Sequence, residues 1–241
     1  MYNIKVKIPT ICNFLFVSVI FLSFLGLLGK FLIHFLGYTE IYFLGFLQTT
    51  FVNEFDLGSE ANITTYFSGL LLLSVSILLW IIAYIKRDNS SPFYRHWFGL
   101  SLVFAYISVD EVATLHERTE EPLRQLIEPG GIFHYVWVIP AAVGLLLLGI
   151  VYARFLWHLQ ARWKGLFAIS AALYVGGALG VEMVGGWYAS KFTKSFTYEL
   201  ISTVEETLEM AGAAFFIYSL LDYLSSHVEG VVIMFQSASD R

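Results

Sequence analysis

The sequence predicts an all-α fold, a polytopic membrane helix bundle of about six transmembrane helices, and three observations carry that prediction. Hydrophobic residues make up 57% of the 241 residues, only 14% are charged, and the mean hydropathy is +0.69. Apolar runs of about 20 residues, the length that crosses a hydrocarbon core, recur along nearly the whole chain. Because the connections between the runs are short, we expect one integral-membrane domain over residues 1–241, embedded in a lipid bilayer.

The apolar runs also predict the orientation of the chain. Six crossings put both termini on one side, and we expect that side to be the cytoplasm, because nine basic residues then lie inside against four outside. The location is a cell membrane, the inner membrane in a bacterium. The inner residues are Lys5, Lys7, Lys86, Arg87, Arg95, Arg154, Arg162, Lys164 and Arg241, and the outer ones are Arg118, Arg124, Lys191 and Lys194. The predicted spans are about 11–36, 66–85, 97–116, 135–157, 165–187 and 199–223.

The first and fifth predicted spans have features that bear on cleavage, disulfide formation and helix packing. The first follows a basic flank but has no small-residue cleavage site, which predicts an uncleaved helix. It contains the single cysteine, Cys12, which excludes an intramolecular disulfide and is expected to be a small buried residue. The fifth is rich in glycine, and we expect Gly176-x-x-x-Gly180 and the pair Gly185-Gly186 to allow close approach of neighbouring helices.

Carboxylates lie inside the third, fifth and sixth spans, where each charge at a helix centre costs about 2.5–3.5 kcal/mol. At a rise of about 1.5 Å per residue, those of the third and sixth spans fall at similar depth in the outer leaflet. Cation binding or protonation would relieve the cost. The buried set is Asp110, Glu111, Glu182, Glu205, Glu206 and Glu209.

Helical spacing predicts which of these carboxylates share a face. Glu206 and Glu209 fall on one stripe of the sixth helix. On the third helix, Asp110, Thr114, Glu117 and Glu121 also share a stripe. His116 projects from a neighbouring face, about 140° around the helix from Glu111.

Acidic residues near the outer ends have a simpler interpretation as interfacial side chains that pair with the outer basic residues. This interpretation covers Glu117, Glu120, Glu121 and Glu199. Five acids in the longer outer connections require no role beyond solubility. These are Glu40, Glu54, Asp56, Glu60 and Glu128. His34 and His134, at the outer ends of the first and fourth spans, are either interfacial residues or additional members of the acidic site.

Carboxylates accompanied by an imidazole suit a divalent metal ion: magnesium, calcium, manganese, iron or zinc. We predict Glu111, His116, Glu117, Glu182, Glu206 and Glu209 as metal ligands, with Asp110 and Glu111 as catalytic residues. Asp110 would serve as a general base or orient a ligand. The metal would act on a lipid or small apolar substrate that enters laterally.

Several other classes of protein are excluded by missing patterns. The six histidines include no His-x-x-x-His pair, which membrane zinc hydrolases require, and the chain has no Gly-x-Ser-x-Gly motif or glycine-rich phosphate loop. A basic surface for nucleic acid is also missing. The chain lacks the Glu-x-x-His pattern of bundle di-iron proteins.

Three segments of the chain are similar to segments of other proteins: FDLGSEANITTYFSGLLLL, SVDEVATLHE and VEETLEMAG. Together they resemble a set of uncharacterised bacterial multi-pass membrane proteins that share an Asp-Glu-x4-His-Glu helix and a later Glu-Glu-x-x-Glu-Met helix. The resemblance covers roughly residues 50–225 and implies no activity. It implies that Asp56 and Glu60 belong to the same outer constellation as the buried acids.

Two other functions remain open as alternatives to a metal-dependent enzyme. The same acids would serve a proton- or cation-coupled transporter, although no inverted repeat is visible. Alternatively, the acidic face would dock a basic partner in a larger membrane complex.

Overall fold

The computed structural model describes residues 7–36, 42–193 and 195–228, and every regular element in those ranges is helical. Lys5, Glu40, Lys194 and Arg241, which entered the predictions of orientation and loop charge, lie outside the described residues. A π-helical turn, Leu32–Leu36, follows the first helix, and a second, Gly176–Val181, separates the seventh from the eighth. The α-helices are α1 (Ile8–Phe31), α2 (Tyr42–Phe55), α3 (Ile63–Asp88), α4 (Tyr94–Ala113), α5 (Leu115–Arg124), α6 (Val138–His158), α7 (Ala161–Val175), α8 (Glu182–Lys191) and α9 (Phe196–His227).

Four stretches of helix in the described residues are long and apolar enough to cross a membrane, and they match four of the predicted spans. They are Ile8–Phe35, Ile63–Asp88, Val138–His158 and Ala161–Lys191. Helices α4 and α5 would make a fifth span if taken together, although they are bent by 77°. The last helix, α9, is long enough at 32 residues, but its charged residues set it apart from the four.

The connection between the first two predicted spans is not a simple solvated loop, because most of it forms α2. Its run FLGFLQTTFV is too short to span a bilayer, so it lies beside α1 instead. Val52 is buried there, and a Cβ on Gly29 of α1 would lie only 3.2 Å from the Val52 side chain. The short loop that follows, residues 56–62, ends at Asn62. The Asn62 side chain accepts a hydrogen bond from the backbone N–H of Thr65 and so caps α3.

The third predicted span, about 97–116, corresponds to α4, which ends at Ala113. Thr114 has a positive φ of 51°, and the chain turns there by 77° between α4 and α5. The predicted stripe through Asp110, Thr114, Glu117 and Glu121 therefore does not exist, since the last two residues belong to a helix with a different axis. The break ends α4 at the point where the sequence changes from apolar to charged.

Helices α3 and α9 form the centre of the bundle, and α4 packs along α3. Leu72, Val75 and Leu79 of α3 are fully buried, as is Ala214 of α9. Two serine hydroxyls tie α3 to α4: Ser76 donates to the carbonyl of Ser101, and Ser108 donates to the carbonyl of Gly69, each at 2.8 Å. These bonds satisfy buried polar groups and fix how α4 lies against α3.

The glycines of the fifth span act at different positions from those predicted. A Cβ at Gly176 or Gly180 would meet nothing within 4 Å, so that pair does not mediate close packing. Gly177 does, because a Cβ there would lie 2.8 Å from both the carbonyl oxygen of Glu205 and Cγ of Glu209. The π-helical turn shifts the packed face by one position and brings the backbone against α9. Gly186 lies close to the segment before α6, where its Cβ would be 3.1 Å from the Tyr135 ring, and a Cβ at Gly185 would make an ordinary contact of 3.5 Å with Ile201 of α9.

Candidate functional site

The candidate site lies at one end of the bundle, here called the acidic end, where α1, α4 and α8 end and α3 and α9 begin. Its first element is the turn between α4 and α5. The carboxylate of Asp110 accepts a hydrogen bond from the backbone N–H of His116 at 2.8 Å, and its other oxygen lies 2.9 Å from Nδ1 of the same residue. Asp110 thus satisfies a free N–H in the first turn of α5 and orients the imidazole. The bend at Thr114 makes this contact possible.

Glu111 and the two glutamates of α9 form the centre of the site. Glu111 is hydrogen-bonded to Ser68 of α3 and interacts electrostatically with His116. Glu206 lies in the field of Glu111, and Glu209 lies in the fields of both Glu206 and Glu111. Glu209 is only 9% exposed. The structure therefore brings the predicted acids of α4 and α9 together.

Glu182 reaches the same cluster from α8. Its carboxylate accepts a hydrogen bond from the indole N–H of Trp137 at 3.2 Å, and it is hydrogen-bonded to Glu205 of α9. Two carboxyl groups can share a hydrogen bond only if one of them holds a proton. The Trp137 ring also lies 4.6 Å from the ring of His116, which links the α8 side of the site to the α4–α5 turn.

Glu60, on the 56–62 loop, extends the cluster to the end of the bundle. Partial burial and the negative charges of Glu111 and Glu117 raise the pKa of Glu60 from its ordinary 4.5 to about 7, with His116 acting in the opposite direction. Glu60 also acts electrostatically on Glu206. Glu60 therefore interacts with the buried acids and is not an isolated loop acid.

A buried lysine lies beside the site. Lys30 of α1 is 6% exposed, and its ammonium lies 3.0 Å from Asp56 and 2.9 Å from Glu199. This arrangement, here called the Lys30 triad, joins α1, the 56–62 loop and α9. The sequence analysis expected Asp56 to be a solvated loop acid and Glu199 to pair with an outer basic residue, whereas both pair with Lys30. Lys30 also acts electrostatically on Glu206.

Acids farther from the centre take simpler roles. Glu120 pairs with Arg124, as expected, and also accepts hydrogen bonds from the backbone N–H groups of Val136 and Trp137, which fixes the segment before α6. Glu117 and Glu121 are exposed. Of these two, Glu117 is still close enough to interact with Glu60 and His116.

The two histidines suggested as additional members lie to the side of the cluster. The His34 ring stacks on Phe196 with centroids 5.3 Å apart, at the start of α9. The backbone carbonyl of His134 accepts a hydrogen bond from Arg124 at 2.9 Å. Neither placement assigns the imidazole to the cluster.

Among the residues described here, no three His, Cys, Asp or Glu side chains are already arranged around a point where they could hold one metal ion. The members lie close enough to affect one another electrostatically, but their oxygens do not converge. Glu111, Glu206 and Glu182 are nevertheless only partly buried.

These features define an all-helical protein with several apolar helices of membrane-spanning length and a carboxylate cluster at one end. Residues 44–223 match the model of a family described as a domain of unknown function, DUF8692. The match covers well over half of the chain and runs from α2 to α9, so the chain belongs to this family. No curated protein and no solved structure matches the chain.

Sequence reasoning missed four contributors to this end of the bundle: Lys30, Ser68, Trp137 and Glu205, the last noted only as a buried charge. Lys30 had a visible signal, since a lone lysine within an apolar run of 26 residues needs a counter-charge. Ser68 and Trp137 gave no such signal, because serine is common in membrane helices and tryptophan is common at membrane interfaces.

Proposed function

We propose that the protein is a six-span membrane protein that binds a divalent metal ion at its acidic end and uses it on a lipid or other small apolar substrate. Helix α9 serves as the sixth span, with a length of about 48 Å at about 1.5 Å per residue. The acidic end faces the outer side of a cell membrane. Basic residues at the opposite ends of the helices, among them Lys86, Arg87 and Arg162, support this orientation.

One observation carries the metal proposal: the pairing of Asp110 with His116. Histidines that bind metals almost always donate their second ring N–H to a carboxylate or carbonyl, which fixes the tautomer and the ring orientation. Asp110 holds Nδ1 of His116 in this way at 2.9 Å and leaves Nε2 for an ion. The same imidazole acts electrostatically on Glu60, Glu111 and Glu182, so potential ligands surround it.

The charge balance around Glu206 supports the same proposal. The charges that act most strongly on this carboxylate are three glutamates, Glu111, Glu60 and Glu182, and one lysine, Lys30. Lys30 is already held between Asp56 and Glu199. A divalent cation would neutralise the remaining negative charge at a low-dielectric site, where unpaired ions are costly.

We assign Glu111, His116, Glu206 and Glu209 as the first ligands, with Glu117 and Glu182 as further ligands. Because the carboxylates do not converge on one point, binding requires rotation of their side chains. When bound, the ion would lower the pKa of a coordinated water and so supply a nucleophile at neutral pH. Asp110 keeps His116 oriented and accepts a proton, and the substrate enters from the bilayer between the helices.

Elemental analysis of protein purified without added metal tests this proposal. We expect a stoichiometric amount of one divalent metal in the wild type and its loss in Glu206→Gln, which keeps the side-chain shape. Glu128→Gln is the matched control, since Glu128 is an exposed glutamate in the α5–α6 connection. Wild-type protein with no metal above background, and no heat of binding with manganese, iron or zinc, would overturn the proposal.

A second candidate, proton-coupled transport, is favoured by the hydrogen-bonded carboxyl pair of Glu182 and Glu205. A shared proton between helices α8 and α9 is the type of site that a carrier loads and releases. Proton flux into liposomes that disappears in Glu205→Gln, without any metal in the protein, would support transport over catalysis.

A further inference from the structure

We infer that the 56–62 loop is a lid over the acidic site and that the Lys30 triad is the latch that holds it closed. This inference rests on the proposed function for what the site binds, but it concerns access to the site. Three properties support this inference. The loop is internally rigid, and it docks on α1 and α9 at separate points. Its two acidic residues have opposite effects, since one is repelled by the site and the other is held by Lys30.

The rigidity of the loop comes from Asn62. Its side-chain amide donates to the carbonyl of Asp56 at 2.7 Å and to that of Ser59 at 2.9 Å. Its oxygen accepts from the hydroxyl of Thr64 at 2.6 Å and from the backbone N–H of Thr65 at 3.0 Å. Because both ends of the loop are bonded to one side chain, the loop moves as a unit.

Two close contacts, one with α1 and one with α9, hold the 56–62 loop against the bundle. Leu57 is 4% exposed and packs on Gly26 of α1, where a Cβ would collide with the leucine side chain. Gly58 lies against α9, where its Cβ would be 2.7 Å from the hydroxyl of Ser202. The loop thus bridges the first and last helices of the bundle and presents Glu60 toward α4.

Asp56 connects the lid to the latch. One of its oxygens lies 3.0 Å from the Lys30 ammonium and also accepts the backbone N–H of Gly58, while the other accepts the hydroxyl of Ser59 at 2.7 Å. Lys30 completes the connection through Glu199 of α9. Releasing Lys30 would therefore remove the ionic contacts that hold the loop to α1 and, through Glu199, to α9.

Electrostatic forces on the lid oppose one another. Glu60 is repelled by Glu111, Glu117 and Asp110, which favours an open lid, whereas Lys30 favours a closed one. A cation among the carboxylates would cancel the repulsion and favour closure. The lid is thus set to close when the site is filled.

Thiol labelling tests this inference independently of metal binding. Cys12 is first replaced by serine, and Ser68, which is 3% exposed and bonded to Glu111, becomes the reporter through Ser68→Cys. A charged, membrane-impermeant thiol reagent is added to metal-free protein in liposomes. We expect Lys30→Met to label roughly tenfold faster or more, since loss of a buried ion pair shifts a local opening equilibrium by at least that factor.

The matched control is Lys86→Met, a lysine at the other end of α3 whose ammonium lies over Tyr223, and it should leave the rate unchanged. Asp56→Asn and Glu199→Gln, which each remove one arm of the triad, should give smaller increases. Equal rates in wild type and a folded Lys30→Met would overturn the inference. Failure of all three triad variants to fold would also overturn it, because the triad would then hold the helices together and not a lid.

Discussion

Nδ1 of His116 lies 2.9 Å from Oδ2 of Asp110, although the two residues are six positions apart and a continuous helix would separate them. The contact exists because Thr114 adopts a left-handed conformation and the chain turns there by 77°. A single residue with positive φ therefore determines which carboxylate the imidazole meets.

Asp110→Asn should weaken metal binding by about 10–100-fold, the usual cost of losing a carboxylate that orients a ligating histidine. The fold should persist, because an asparagine oxygen can still accept the backbone N–H of His116. Titration calorimetry with manganese would measure the change. Glu54→Gln, at an exposed glutamate of α2, should bind as the wild type does. Unchanged affinity in Asp110→Asn would remove His116 from the ligand set.

Gly177→Ala should lower the free energy of unfolding by about 1–3 kcal/mol, the usual cost of overpacking. Its new methyl group would lie 2.8 Å from the carbonyl oxygen of Glu205, and backbone atoms of α9 would have to move. Gly176→Ala is the control, since its methyl group would point into open space. Thermal unfolding in one detergent compares the two variants, and equal melting temperatures would contradict the close contact with α9.

Variants of Asn62 should separate two contributions to stability, the N-cap of α3 and the hydrogen bonds that the Asn62 amide donates to the 56–62 loop. Asn62→Ala removes the N-cap of α3 and both amide bonds to the loop, and should cost about 1–2 kcal/mol from the cap alone. Asn62→Asp keeps the capping oxygen and loses only the donated bonds, so its stability should lie between those of wild type and Asn62→Ala. Hydrogen exchange across the loop would show faster exchange in both variants. An aspartate variant as unstable as the alanine variant would mean that the donated bonds dominate.

Stability of the metal-free protein should depend on pH through Glu60. Because the folded pKa of about 7 exceeds the ordinary 4.5, the folded state holds a proton that the unfolded state releases. The contribution is fully present below pH 4.5 and is lost as the pH rises through 7. Relative to Glu60→Gln, the wild type should therefore lose melting temperature between pH 5 and pH 8. Parallel curves for the two proteins would contradict the elevated pKa.

Four of the predicted membrane spans were accessible from sequence because they depend only on the length and composition of apolar runs. The grouping of Glu111, Glu206 and Glu209 at one level was accessible too, since depth follows from helical rise. Helix α2 was missed because its short apolar run lies between the lengths typical of a loop and of a span. The turn at Thr114 was missed because threonine does not favour a positive φ, so nothing local marked the break.

The glycine prediction failed for a related reason. Helical spacing identified Gly176 and Gly180 as one face, but the π-helical turn over Gly176–Val181 changes the phase of the helix, so Gly177 faces α9 instead. Lys30 is the opposite case. A lysine in an apolar run is visible in the sequence, but the residues that pair with it could not be deduced. Its two counter-charges come from a loop and from the last helix, and no periodicity relates them.

The Lys30 triad also constrains how the chain is assembled. Lys30 enters the bilayer with the first helix, while Glu199 emerges from the ribosome only with the last one. During synthesis the ammonium has Asp56 as its early partner, which already balances its charge, and the second carboxylate arrives only with α9. The triad thus makes docking of α9 on α1 a late step, because Glu199 can join the Lys30–Asp56 pair only after α9 has been synthesised.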